Sequence, residues 1–216
     1  MASVLTVNAA AEPIDLGRKR SGINKAPSSA PVAVRAPGPR RGGLGSGIVG
    51  DSVCDSKHHG GDDQAVYAYA REDLDRWAGE LGRELTNGMF GENLTTSGVD
   101  LTACLIGERW SVGDDGLLLE VTSPRTPCQT FVKWLEIPGW IKTFTAANLP
   151  GAYFRVIEPG TVRAGDAVEV VSRPEHSVTI GIVFRALMGE RGLWPSVAAA
   201  GDALPEKISA QAAKHS

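Results

Sequence analysis

Residues 117–131 read LLLEVTSPRTPCQTF. Leu117 to Val121 is aliphatic with one acid and is expected to form a buried strand. Pro124 and Pro127 then interrupt it and deliver Arg125 and Cys128 three residues apart. A proline on each side of Arg125-Thr126 removes two backbone donors and fixes φ twice, so the loop is expected to be stiff. A thiolate is a soft ligand, and a neighbouring guanidinium favours the thiolate form. Such a loop therefore suits an anionic, thiophilic ligand. Cys128 also reads as a small buried hydrophobe. These fifteen residues alone leave both readings open.

Working outward, Asp115-Gly116 is a tight hairpin signal that joins Leu117–Val121 to a strand-then-turn segment over Ile106–Asp114. Beyond the loop, Phe131 to Trp140 predicts a short helix broken at Pro138. Tyr153–Ile157 and Ala167–Val171 read as two further strands separated by turns. Upstream, Ser3–Asn8 and Gln64–Tyr69 alternate as strands. Leu74, Trp77, Ala78, Leu81 and Leu85 share one face of a helix over Arg71–Leu85 that Asn87-Gly88 is expected to end. Met89 to Thr96 reads as a turn into an edge strand. By composition, residues 26–50 read as a flexible linker around a β-prone Val32–Val34. From Val178 the pattern turns helical. Many short strands with glycine turns and few helices predict a β-barrel with helical additions, mainly β and α+β overall. The expected division is a barrel domain over residues 1–177 and a short helical extension over 178–216.

Several residues beside the central loop carry candidate chemistry. Adjacent His58 and His59 would point to opposite sides of a strand, which argues against one metal held by both. Gly60-Gly61 permits close backbone approach and suits a ligand-lining turn, or equally an ordinary surface turn. Glu92 and Asn93, followed by Leu94-Thr95-Thr96, offer a carboxylate and an amide able to donate and accept toward a heteroaromatic ring. Cys54 reads as a loop thiol, and Cys104 as core. Trp77, Trp110, Trp134, Trp140 and Trp194 read as packing residues.

Composition narrows the function classes. The 216 residues carry a formal net charge of −3, so no general field attracts nucleic acid or an acidic membrane surface. No apolar run approaches a membrane span. The first residues lack the pattern of a secretory signal. Three widely spaced cysteines contain no CxxC pair and suit a reducing compartment. A cytoplasmic protein is expected, without nucleic-acid or membrane partners.

Four segments in order carry a resemblance: Lys57-His58-His59-Gly60-Gly61, Gly88 to Thr96 (GMFGENLTT), Ile106-Gly107-Glu108 leading to Gly113-Asp114, and Val121 to Cys128 (VTSPRTPC). Together they resemble the MOSC domain, named after the C-terminal part of molybdenum cofactor sulfurase, and within it the bacterial YiiM-like branch. The similarity runs over roughly residues 2–173. It implies a barrel of the pyruvate-kinase β-barrel type, with 26–50 ordered rather than a linker. It further implies binding of molybdenum cofactor (molybdopterin), with Cys128 as thiolate ligand or sulfur carrier, catalytic in either role. Arg125 would contact a phosphate or pterin oxygen, Glu92 and Asn93 would line the pterin side, His59 and Gly60 would close the pocket, and Thr126 would belong to the cofactor-binding loop. Pyridoxal phosphate binding is associated with the family only. The implied activity is reduction of N-hydroxylated small molecules, with oligomerisation possible. Three cysteines cannot make a four-cysteine iron–sulfur site, so electrons would come from a separate protein. The alternatives are a sulfur-carrying module using a Cys128 persulfide and a non-catalytic binding domain. Residues 178–216 do not obviously match the three-helix tail of longer YiiM-like proteins.

Overall fold

The computed structural model describes residues 1–17 and 19–215. The chain opens with β1 (Ser3–Ala9), then runs through four short strands, β2 (Ile14–Leu16), β3 (Lys19–Ser21), β4 (Ala26–Pro27) and β5 (Val32–Val34). A parallel unit follows, β6 (Val66–Ala70), α1 (Arg71–Leu81) and β7 (Leu94–Ser97), and then the hairpin of β8 (Arg109–Val112) and β9 (Leu117–Pro124). Helices α2 (Gln129–Leu135) and α3 (Trp140–Ala147) lead to β10 (Ala152–Glu158), β11 (Gly160–Val162) and β12 (Val168–Ser172). The chain ends in α4 (Ile180–Leu187), α5 (Trp194–Ala198) and α6 (Glu206–His215).

Eight strands form one mixed sheet in the order β12-β8-β9-β10-β6-β7-β1-β4. Among the described residues no ladder closes it, so the expected closed barrel is not what this sheet forms. Instead β1, next to the end of the order, meets the residue before β12 at a single bridge, Ser3↔Ala167, reinforced by Val4 N–H to Asp166 O (2.9 Å) and Val168 N–H to Ala2 O (3.0 Å). Gly113 donates to Ala167 O (2.9 Å), so residue 167 already serves β8 on its other side.

The pleat explains why β6 is buried at every position. Successive side chains leave opposite faces of a strand. Val66, Ala68 and Ala70 enter the aliphatic core inside the curled sheet, where Phe154, Trp110 and Leu119 also sit. Tyr67 and Tyr69 face the other way, into an aromatic cluster with Trp77, Phe90, Phe131, Trp140 and Phe144 beneath α1, α2 and α3. Trp77 and Trp140 meet edge-on at 4.7 Å between centroids, and the Trp77 indole donates to the Tyr69 hydroxyl at 2.9 Å. Edge-on aromatic pairs add to area burial by about 0.5–1.5 kcal/mol each. The expected packing roles of Trp77, Trp110, Trp140 and Trp194 are borne out, all four being buried.

Differences from the expected elements have local causes. Helix α1 stops at Leu81 because Gly82 adopts the left-handed conformation (φ 62°) and its N–H closes on Ala78 O, before Asn87-Gly88 is reached. The single helix expected over Phe131–Trp140 is two, because Glu136 takes φ 56° and ends α2, and Trp140 starts α3. β7 is an interior strand between β6 and β1, not an edge. Residues 26–50 are ordered, with β5 paired to β11. Helices α4, α5 and α6 contribute Val183, Val197 and Ile208 to the same core as the sheet.

Candidate functional site

Strand β9 is fixed between β8 and β10, and its last residue, Pro124, pairs with Ala152. The chain leaves the sheet there, so Arg125 stands at a rigid strand end. Its guanidinium lies over the Phe131 ring, 3.6 Å from the centroid, and 5.5 Å from that of Tyr67. Such a contact holds a planar cation without consuming its N–H donors. Arg125 is 8% exposed, and its Nη1 is buried without a hydrogen-bond partner.

Cys128 is extended (φ −134°, ψ 169°) and immediately precedes α2. It is half-buried. Burial raises its thiol pKa, but the hydrogen bond from His59, the Arg125 charge and the Phe131 N–H outweigh that and bring it down to about 6. His59 reaches the thiol from a turn anchored by its own N–H to Asp55 O (2.9 Å). His58 points elsewhere, to the Asp55 carboxylate at 3.0 Å; the pair sits in a turn and not on a strand, so strand alternation is not what separates them. Gly60 has φ 79°, and a Cβ there would stand 2.6 Å from Gly45 O, so the turn requires glycine.

Cys128, Arg125, His59, Gly60 and Asn93 line one cleft of about 120 Å³, together with Tyr67, Tyr153, Gln64, Lys25 and Asp51. The Asn93 amide is already committed. Its Oδ1 accepts from Tyr67 N–H (3.1 Å), and its Nδ2 donates to Asp51 Oδ2 (2.9 Å) and Asn8 O (3.3 Å). Asn93 thus shapes the wall, with no amide group left for a ring. Glu92 is not on the cleft. It is buried and accepts from Phe90 N–H (3.0 Å) and the Thr95 hydroxyl (2.9 Å), so it holds the turn that presents Asn93. Thr126 is exposed and stands apart from the lining residues.

Sequence reasoning missed the cleft floor. Asp51 accepts from Ala10 N–H (2.9 Å), Ser46 Oγ (2.8 Å), Asn93 Nδ2 and the Lys25 ammonium, with the ion pair almost wholly buried. Its partners lie up to 42 residues away, so no local pattern signals it. Tyr67 and Tyr153 were visible only as strand residues, and no motif marks Gln64. All three cysteines are free; Cys54 is exposed on the cleft rim, and Cys104 is buried.

The MOSC domain profile matches residues 55–169, over half of the chain. The chain belongs to the MOSC domain family. Within it the chain is YiiM-like: it is 32% identical to "Protein YiiM" of Escherichia coli over 59% of this chain and 57% of that protein. It is 34% identical to "Uncharacterized protein YflK" of Bacillus subtilis, over 61% of this chain and 58% of that one. A protein of Gibberella moniliformis named "Reductase" is 32% identical over 60% of this chain and 23% of its own length. The chain therefore spans less than two thirds of each of these relatives. In fold it matches the crystal structure of YiiM from Geobacillus stearothermophilus, with TM-score 0.78, 24% identity and coverage of 100% of this chain and 99% of that one. YiiM from Escherichia coli superposes with TM-score 0.71 at 21% identity, over 99% of this chain and 92% of that chain. That coverage includes α4–α6, so the tail that the sequence did not match is part of the shared fold.

The family is associated with molybdenum cofactor, and the residues present fit such a group. The cleft offers the soft Cys128 thiol, with Cys54 exposed at its rim, an orphaned buried guanidinium N–H and an orphaned buried amide oxygen, Gln64 Oε1. Among the described residues no cluster of three or more His, Cys, Asp or Glu would hold a bare ion. A metal that arrives with its own organic ligands needs only one such bond from the protein. No helix among the described residues is long and apolar enough to cross a membrane.

Proposed function

We propose that this protein binds molybdenum cofactor with the Cys128 thiolate as the protein's metal ligand, and reduces N-hydroxylated small molecules. The observation that carries this reading is the Cys128 thiol, held in the cleft by His59 and beside Arg125, its pKa lowered to about 6. At neutral pH that thiol is ready to ligate without losing a proton first.

The bound group would supply two-electron chemistry in which an N–OH takes two electrons from a separate donor protein and two protons from solvent to give an N–H and water. The chain's own residues do the rest. Cys128 holds the metal, and His59 keeps the sulfur deprotonated by donating a ring N–H. Arg125 Nη1 offers a charge-assisted contact to an anionic oxygen of the cofactor or substrate. Gly60 closes the wall with backbone alone, and the Lys25–Asp51 pair fixes the floor. Glu92 acts one step away, by shaping the turn that carries Asn93. A cytoplasmic setting, where such thiols stay reduced, belongs to the same reading.

The experiment is molybdenum analysis of the protein purified from a host that makes the cofactor, wild type beside Cys128→Ser. Molybdenum near one per chain in the wild type and a large loss in the variant is the expected result. Wild-type protein without molybdenum would sink the reading. An added sulfur on Cys128 in its mass spectrum would then point to the sulfur-carrier role.

A further inference from the structure

Two buried polar atoms of the cleft are left without partners, and they are of opposite kinds. Arg125 Nη1 is a donor and Gln64 Oε1 an acceptor, each with essentially no solvent contact and no hydrogen-bond partner. Both residues line the Cys128 cleft. Orphaned buried groups are rare and costly.

Arg125 is held by its side chain, and Gln64 by its backbone. Arg125 is pinned over Phe131. Gln64 ends a short 3-10 turn (Asp62–Gln64), with its N–H bonded to Gly61 O at 2.9 Å. The residue before it is tied on two sides: Asp63 O accepts from Thr122 Oγ1 (2.6 Å), and its carboxylate pairs with Arg155 (2.6 Å). Elsewhere in the cleft, Asp51 and Asn93 are fully engaged and the rest of the Arg125 guanidinium serves Tyr67 and Tyr153, so these two atoms stand out as unspent.

We propose that Gln64 is a specificity-determining residue that works with Arg125 to read a ligand offering both a hydrogen-bond donor and an acceptor, the chemistry of an amide or amidoxime edge. The ligand's N–H or O–H would meet Gln64 Oε1, and its carbonyl oxygen, or the oxime nitrogen or oxygen of an amidoxime, would meet Arg125 Nη1. An apolar ring of the same shape would leave both groups unpaired and be rejected. This deepens the proposed function, because that edge occurs on the pterin of the cofactor and on an N-hydroxylated substrate alike.

The test uses metal-free protein and two probes, 6-carboxypterin and benzamidoxime, with binding measured by calorimetry. Its outcome is independent of molybdenum content, so it fails or succeeds separately from the reading above. Gln64→Met keeps the length of the side chain and removes the acceptor, whereas Gln64→Glu keeps an acceptor oxygen. The expected result is that at least one probe binds the wild type, that Gln64→Met weakens it about 10-fold, and that Gln64→Glu stays within about 3-fold. Loss confined to the pterin assigns the edge to the cofactor, and loss confined to benzamidoxime assigns it to the substrate. Equal affinity of Gln64→Met and wild type, or no binding of either probe to wild type, overturns the proposal.

Discussion

Alkylation of Cys128 in the metal-free protein measures directly the electrostatic environment on which the site depends. The perturbation is His59→Ala in a Cys54→Ser background, because Cys54 is exposed while Cys104 is buried and its thiol pushed far up by burial. With a pKa of about 6, Cys128 is roughly nine-tenths thiolate at pH 7, against about 3% for an ordinary thiol near 8.5. The lower-pKa thiolate is also the weaker nucleophile, by roughly 10-fold for this difference. The two effects nearly cancel at pH 7, so a rate at that pH decides little. At pH 5.5 the thiolate fractions differ by about 200-fold, and a net advantage on the order of 20-fold survives. Iodoacetamide labelling across pH 5–9, followed by mass spectrometry, is expected to show a midpoint near 6 in the His59 protein. In His59→Ala the midpoint should move toward the ordinary thiol value. The same midpoint in both proteins would refute the role given to His59, and a wild-type midpoint near 8.5 would refute the activated thiol itself.

Three further outcomes follow from the geometry. Because the folded thiol loses its proton at lower pH than the unfolded one, wild-type stability relative to Cys128→Ser should rise between about pH 6 and 8.5 in urea titrations. Asp73 runs the other way: burial first, then Asp100 and Glu72, raise its carboxyl to about 6. Its folded form keeps a proton that the unfolded form has lost, so stability falls as pH rises from about 4 to 6. Asp73→Asn should then melt higher than wild type at pH 8 by about 3 °C after allowance for partial exposure and the lost helix-dipole contact, with no gain at pH 4. Asp51→Ala removes the partner of a buried ammonium and should cost about 3–5 kcal/mol in urea unfolding, part of it recovered by adding Lys25→Met.

The central strand, its hairpin, the packing helix and the tryptophan core were legible because they rest on periodicity and on residue size. The cysteine, arginine and histidine of the cleft were legible because they sit in motifs. Three things were not. The end of α1 hinged on Gly82 rather than on the stronger-looking Asn87-Gly88, because a left-handed cap needs only one glycine at the right turn. Glu92 and Asn93 were rightly singled out as a pair, yet adjacent residues of the turn are spent inward, on Phe90 and Asp51, which depends on loop packing. Asp51 lies just past the Pro- and Gly-rich stretch 26–50, and three of its partners, 26 to 42 residues away, became visible only in the fold.

The Asp51 hub has a consequence in time. One carboxylate ties residue 10, residue 25, residue 46 and residue 93 to a single point. The bonds from Ala10 and Asn93 are complete only when the excursion between β1 and β6 has come back to the sheet, and contacts across 41 and 42 residues form late. The framework of β6 to β10, in which β10 joins the β8–β9 hairpin to the β6–β7 crossover, can assemble before that happens. The cleft is then the last part of the molecule to mature and the first to loosen, so amide exchange should be faster over residues 10–52 than over β9, and ligand occupancy should slow it selectively there.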